Sequence, residues 1–198
     1  TMQWEIFGTS NFGQLGSSFI ILGDVNADGS DEFATGLDTA GTQGRIDNGY
    51  LQAHSTVDGS MLWRFDGTTS GEQMGKVTLL VDDISGDGIR DIVVSSHLAD
   101  VAGFGDNGKV TAIASNDGHH LWSVHGDENQ EMLGKDMKSA SDIDGDGIED
   151  LYAFSSRADT HGLRDNGMVK VISTNDGSTI WRYDGGHDGD RVGDADRK

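Results

Sequence analysis

The sequence contains no cysteine and no proline, so no disulfide staples it and no ring-locked residue interrupts its backbone. Basic residues are scarce. Fourteen Lys and Arg stand against 34 Asp and Glu, a formal charge of −20 that would repel a phosphate backbone or an anionic membrane surface and so excludes nucleic-acid binding. Long apolar runs are missing as well: Phe19-Ile20-Ile21-Leu22 and Val77 to Val81 fall far short of the ~20 residues a membrane helix needs. Thr1-Met2-Gln3-Trp4-Glu5 lacks the basic region and apolar stretch of a secretion signal, which fits a mature or excised piece. Catalytic signatures are absent too. There is no thiol nucleophile, no Gly-x-Ser-x-Gly and no phosphate loop. The histidines at 54, 97, 119, 120, 125, 161 and 187 never fall at metal-ligand spacing with a second His or a suitable Glu, so a non-enzyme is expected. Even glutamate is rare: 28 of the acids are Asp and 6 are Glu, and Asp is the acid of turns and metal loops.

What remains is glycine and order. Thirty glycines in 198 residues imply many tight turns, and 34% hydrophobic residues suffice for one domain with a core. The tryptophans reveal the organisation: Trp4, Trp63, Trp122 and Trp181 are each 59 residues apart. The same step links Gly16, Gly75, Gly134 and Gly193, then Asp24, Asp83 and Asp142, then the Asp-Asn-Gly triplets at 47–49, 106–108 and 165–167, then the Asp-Gly pairs at 58, 117 and 176. The chain therefore holds three repeats, about 9–67, 68–126 and 127–185, with partial repeats at 1–8 and 186–198.

Within each repeat, apolar residues alternate over short stretches bounded by Gly, Asp and Asn, the mark of strands, and no helical periodicity is sustained. Four strands per repeat are expected; in the second they cover about Lys76–Val81, Asp91–Ser96, Lys109–Ala114 and His120–Val124. A unit this small cannot bury its own faces, so neighbouring repeats must stack. Four antiparallel strands per stacked unit predict an all-β fold of β-propeller blades, with the tryptophans packing between blades. A β-solenoid is disfavoured, because its coils are much shorter than 59 residues and two-residue Asp-Gly turns favour hairpins.

Between the first and second strand of every repeat lies an acidic nonapeptide, at 24–32, 83–91 and 142–150. Oxygen-bearing side chains fill positions 1, 3, 5 and 9: Asp24, Asn26, Asp28 and Glu32; Asp83, Ser85, Asp87 and Asp91; Asp142, Asp144, Asp146 and Asp150. Ca²⁺ takes six to eight oxygens, and the glycine at position 6 allows the bend that lets three side chains converge. The backbone carbonyl at position 7, in Ser30, Ile89 and Ile148, would add a ligand. These loops are not EF-hands, since position 12 is Thr35, Val94 or Ala153 and strand sequence follows. Uncompensated carboxylates held together would cost stability, so up to three Ca²⁺ ions are expected, with the four-carboxylate third loop binding tightest. Three ions would bring the charge from −20 to about −14.

Leu15-Gly16, Gly23-Asp24-Val25-Asn26-Ala27-Asp28-Gly29 and Gly49-Tyr50-Leu51 resemble the FG-GAP repeat of integrin α-subunit propellers and their bacterial relatives, and Asp142 to Asp150 is the best single match. The resemblance spans almost the whole chain. It implies a calcium-binding propeller module for extracellular binding or adhesion, because loops of this class need the calcium found outside the cytoplasm. A non-catalytic propeller of a secreted polysaccharide-active enzyme is the alternative. The Asp58-Gly59-Ser60-Met61-Leu62-Trp63 stretch also looks like quinoprotein dehydrogenase propellers, but the acidic loops are foreign to that pattern and three blades offer no complete axial cofactor pocket. The connections between second and third strands are the longest and most variable. Arg45, Phe104, His161 and Arg164 on them are the candidates for contact with a protein or glycan partner. Closed propellers have about four to eight blades, so three repeats suggest a fragment, or two copies closing a six-bladed ring.

Overall fold

Short runs of β-branched and aromatic residues between Gly and Asp turns form twelve strands in the computed structural model, which describes residues 4–8 and 13–194. Thr1–Gln3 of the first partial repeat and residues 195–198 of the last lie outside the described residues, as do residues 9–12 at the first repeat boundary. The strands are β1 Phe19–Gly23, β2 Glu32–Gly36, β3 Tyr50–His54, β4 Met61–Asp66, β5 Thr78–Leu80, β6 Ile92–Ser96, β7 Lys109–Ile113, β8 His120–His125, β9 Asp136–Ser139, β10 Leu151–Ser155, β11 Met168–Ile172 and β12 Thr179–Asp184. No helix occurs among the described residues, and hence none long and apolar enough to cross a membrane.

The strands form three four-stranded antiparallel sheets, β1–β2–β3–β4, β5–β6–β7–β8 and β9–β10–β11–β12, one for each repeat. They do not close into a barrel. They stand side by side, with the first strand of the middle sheet, β5, touching both β1 and β9. The strand boundaries in the second repeat differ from expectation by one or two residues. β6 starts at Ile92 because Asp91 turns its side chain into the preceding loop, and β7 stops at Ile113 because Ala114 N–H donates to His119 C=O across the turn.

Side-chain alternation assigns each face of a sheet to a neighbour. Ile92 and Val94 of β6 pack with Leu22, Ala34, Leu51 and Trp63 of the first sheet, while Val93 of the same strand packs with Leu133, Leu151 and Met168 of the third. β2, β3, β6 and β11 are buried along their whole length, and in β6, which lies between two sheets, the alternation visible in sequence records which neighbour is met rather than burial against exposure. At the two ends of the row Phe19 and Ile21, and then Trp181 and Tyr183, are exposed.

The 59-residue period has two physical causes. Each Asp-Asn-Gly asparagine is fully buried and ties three segments: Asn107 Oδ1 accepts from Val101 N–H, and its Nδ2 donates to Val101 C=O and to Gly126 C=O; Asn48 and Asn166 do the same work in their own repeats. The first three tryptophans each reach into the next repeat. Trp4, Trp63 and Trp122 donate Nε1–H to the carbonyls of Thr56, Ser115 and Thr174 at 3.0, 2.8 and 2.8 Å, and their rings lie over Gly59, Gly118 and Gly177.

A Cβ on Gly118 would stand 2.8 Å from the Trp63 ring, at a φ of +76° that side chains rarely adopt. Gly118→Ala is therefore expected to destabilise by about 2 kcal/mol or more in urea unfolding. Gly147→Ala, at φ +93° but with nothing within 4 Å, should cost only the backbone share of about 1 kcal/mol. Equal costs would contradict the tryptophan-over-glycine contact.

Candidate metal centre and the opposite loop face

The acidic nonapeptides are the hairpin turns between the first and second strands of the sheets. In the third loop, ligand oxygens of Asp142, Asp144 and Asp146 lie within 4.8 Å of one another, all three exposed. The backbone produces this convergence. Asp142 Oδ1 accepts from Gly145 N–H and Oδ2 from Gly147 N–H, Asp144 Oδ1 accepts from Asp146 N–H, and Asp146 Oδ1 accepts from Ile148 N–H. Gly145 and Gly147 hold φ of +86° and +93°, which the bend requires. Three carboxylates with free lone pairs in a space this size suit a hard cation. Among the described residues, this trio could hold a metal ion.

The other two loops share the wrapping but not the trio. In the second, Asp83 accepts from Gly86, Asp87 and Gly88 N–H, which holds its carboxyl below the usual range, with Gly88 the largest contributor. Ser85 Oγ sits 3.4 Å from Asp83 where the third loop has a carboxylate, and Asp87 accepts from Ile89 N–H. In the first, Asp24 accepts from Asp28 and Gly29 N–H, Asp28 accepts from Ser30 N–H, and the Asn26 amide donates to Asp28 Oδ2 at 3.0 Å.

Position 9 behaves differently from the other three. Glu32, Asp91 and Asp150 are at most 1% exposed. Each lies beneath its loop and accepts a backbone N–H from it: Val25 to Glu32, Ile84 and Ser85 to Asp91, and Ile143 to Asp150. Desolvation is the main influence on all three and pushes their pKa values up. Glu32 Oε1 and Asp150 Oδ1 are left without a partner, a state that an adjacent cation would relieve.

A second set of repeated residues connects the loops to the sheet packing. Thr56 and Ser115 donate their hydroxyls to the carbonyls of Asp31 and Arg90, both at 2.6 Å, and Thr174 donates to Glu149 C=O. These are position 8 of the three acidic loops. The carbonyls of the same three residues accept the tryptophan N–H of the neighbouring repeat. Acidic loop, hydroxyl residue and tryptophan thus form one hydrogen-bonded path, repeated three times. The positions 56, 115 and 174 obey the 59-residue step, so the sequence carries this signal, although hydroxyl residues in a turn do not announce a role.

The connections between second and third strands lie at the opposite ends of the sheets. Arg45 and Phe104 sit on those of the first and second sheets, where Arg45 Nη1 donates to Gln43 Oε1 and Phe104 N–H to Val101 C=O. His161 and Arg164 share the third loop. His161 stands 3.6 Å from Glu128 and 3.3 Å from Asp184, while Arg164 lines a cavity with Arg157. The four residues do not form one cluster. Sequence reasoning missed the charged network beside them: Lys170, 2% exposed, pairs with Glu131 and Asp127, and Glu131 also pairs with Arg182.

No family model matches the chain, and no curated protein does. Among solved structures the chain is similar to the Bacillus licheniformis rhamnogalacturonan lyase PL11, with a TM-score of 0.52 and 16% identity over 87% of this chain and 36% of that one. It is also similar to the rhamnogalacturonan lyase YesW (TM-score 0.49, 16% identity, 84% and 34% coverage) and to the exotype rhamnogalacturonan lyase YesX (TM-score 0.50, 14% identity, 84% and 33% coverage). The chain spans about a third of the length of these neighbours. The likeness is one of fold.

Proposed function

We propose that this chain is a calcium-stabilised β-propeller segment of the FG-GAP type, serving as a binding module outside the cytoplasm and performing no catalysis of its own. The observation that carries the reading is the convergence of Asp142, Asp144 and Asp146 within 4.8 Å in a loop whose spacing recurs in all three repeats. Asp142, Asp144 and Asp146 would hold the ion in the third loop, with the carboxylates of Asp24 and Asp28, and of Asp83 and Asp87, in the others. An ion there would neutralise a strongly acidic edge and tighten the path from loop through Thr174, Ser115 or Thr56 to the tryptophans. The rhamnogalacturonan lyases supply an observation for a second reading, in which the segment is the non-catalytic propeller of a polysaccharide-active enzyme.

Thermal unfolding tests the calcium reading. At calcium a hundredfold above the dissociation constant, one site contributes about 2.7 kcal/mol, or roughly 5–10 °C for a chain of this size. Calcium is expected to raise the Tm by at least that amount over a chelator, and to change tryptophan fluorescence as the indole acceptors are drawn in. Asp146→Asn should remove most of the shift. A melt indifferent to calcium would overturn the reading.

A further inference from the structure

On the face opposite the acidic loops, the inner ends of the sheets gather positive charge in a chain that carries −20 overall. Lys76 and Lys135 occupy the same position in successive repeats, just before β5 and β9, and those strands are in contact. Asp38 and His97 are likewise equivalent, each following the second strand of its sheet. Lys76 Nζ pairs with Asp38 Oδ2 at 3.2 Å while remaining half exposed.

Two buried polar atoms of this cluster have no partner. They are Nδ1 of His97, which is 9% exposed, and Oδ1 of Asp38, which is 1% exposed. Buried polar atoms are ordinarily satisfied, so a pair of open ones beside exposed cations has the character of a receptor rather than of a finished core. The surrounding charges are Lys76, Lys135 and Asp38 about His97, and Arg157 and Asp165 about Lys135. Burial, then Lys76 and Lys135, depress the His97 pKa to about 4, so the imidazole is neutral at physiological pH and has one donor and one acceptor to offer. Burial, then Arg157, also lowers the Lys135 pKa. Mutual repulsion of this kind is relieved by an anion. Arg157 extends the cluster into a cavity of about 430 Å³ lined also by Arg164, Gln130, Asp159 and Asp165.

We propose that Lys76, His97, Lys135 and Arg157 form an anion site that takes the carboxylate of a small organic acid or of an acidic sugar unit in a glycan. The lysines and Arg157 supply charge-assisted hydrogen bonds to the carboxylate, while His97 and Asp38 offer a donor and an acceptor to neighbouring hydroxyls. The proposal rests on the binding-module reading and names its ligand class. Its site is separate from the acidic loops, so the two can fail independently.

The test titrates the full chain, in saturating calcium, with galacturonic acid, with galactose as the neutral counterpart, and with tri-galacturonic acid, by calorimetry and by the His97 imidazole NMR signal. Galacturonic acid is expected to bind saturably and to raise the His97 pKa, while galactose does neither. Lys135→Gln and Arg157→Gln should each weaken binding about tenfold or more. These two variants are chosen because Lys76→Gln would strip Asp38 of its ion pair. A tighter trimer would identify a polymer-borne carboxylate as the ligand, and equal affinities a free one. No saturable binding by about 10 mM, equal binding of galactose, or unchanged affinity in both variants would overturn the proposal. Loss of galacturonate binding with calcium uptake intact would sink this site alone.

Discussion

Trp63→Ala is expected to destabilise the chain by about 3–5 kcal/mol, whereas Trp181→Ala should cost about 1 kcal/mol, although the two residues are equivalent in the repeat. Trp63 is 7% exposed, fills the contact between the first and second sheets, and donates a buried hydrogen bond of 2.8 Å to Ser115 C=O. Truncation would leave a cavity and an orphaned carbonyl at one place. Trp181, on the outward face of the last sheet, is 40% exposed and touches Tyr152 edge-on, so it has less to lose. Urea denaturation of the two variants provides the comparison. Equal losses would mean that the tryptophans stabilise their own sheets, and that stacking between repeats is not what the period encodes.

The second large effect lies in the charged network between the second and third sheets. Glu131 is fully buried, 3.4 Å from Lys170 Nζ and 3.0 Å from Arg182 Nη1. Its replacement by Gln leaves Lys170 buried with only the exposed Asp127 as counter-charge, and breaking a buried pair in this way costs about 3–5 kcal/mol. Lys170→Met should be far milder, about 1 kcal/mol, because Glu131 keeps Arg182 and a straight apolar chain fills the space. The asymmetry is the prediction. A Lys170→Met variant as damaging as Glu131→Gln would show that the lysine, not the shared carboxylate, organises the network.

The all-β class, the four strands per repeat and their turns were legible in the sequence because each is local: alternation, glycine and Asp-Gly pairs report on residues a few positions apart. The tryptophans were legible as packing residues, yet their direction was not. A residue that bonds to a carbonyl 52 positions downstream leaves only a spacing as its trace. Lys170 shows the other limit. Its counterparts are Gln52 and Thr111, so no repetition marks it, and its partner Glu131 meets it only through the stacking of sheets. In the candidate metal centre, the spacing at positions 1, 3 and 5 anticipated the trio, whereas Asp150 at position 9 sits under the loop holding Ile143 N–H. An acid in a repeated motif can serve the loop's backbone as readily as an ion, and residue type alone does not separate the two roles.

Counting bound calcium per chain tests the account most directly. Equilibrium dialysis of the chelator-stripped chain against calcium should show saturable uptake of up to three ions, with the tightest lost in Asp146→Asn and the weaker retained. Absence of saturable uptake, or uptake unaltered by Asp146→Asn, would contradict the assignment of the acidic loops as calcium sites.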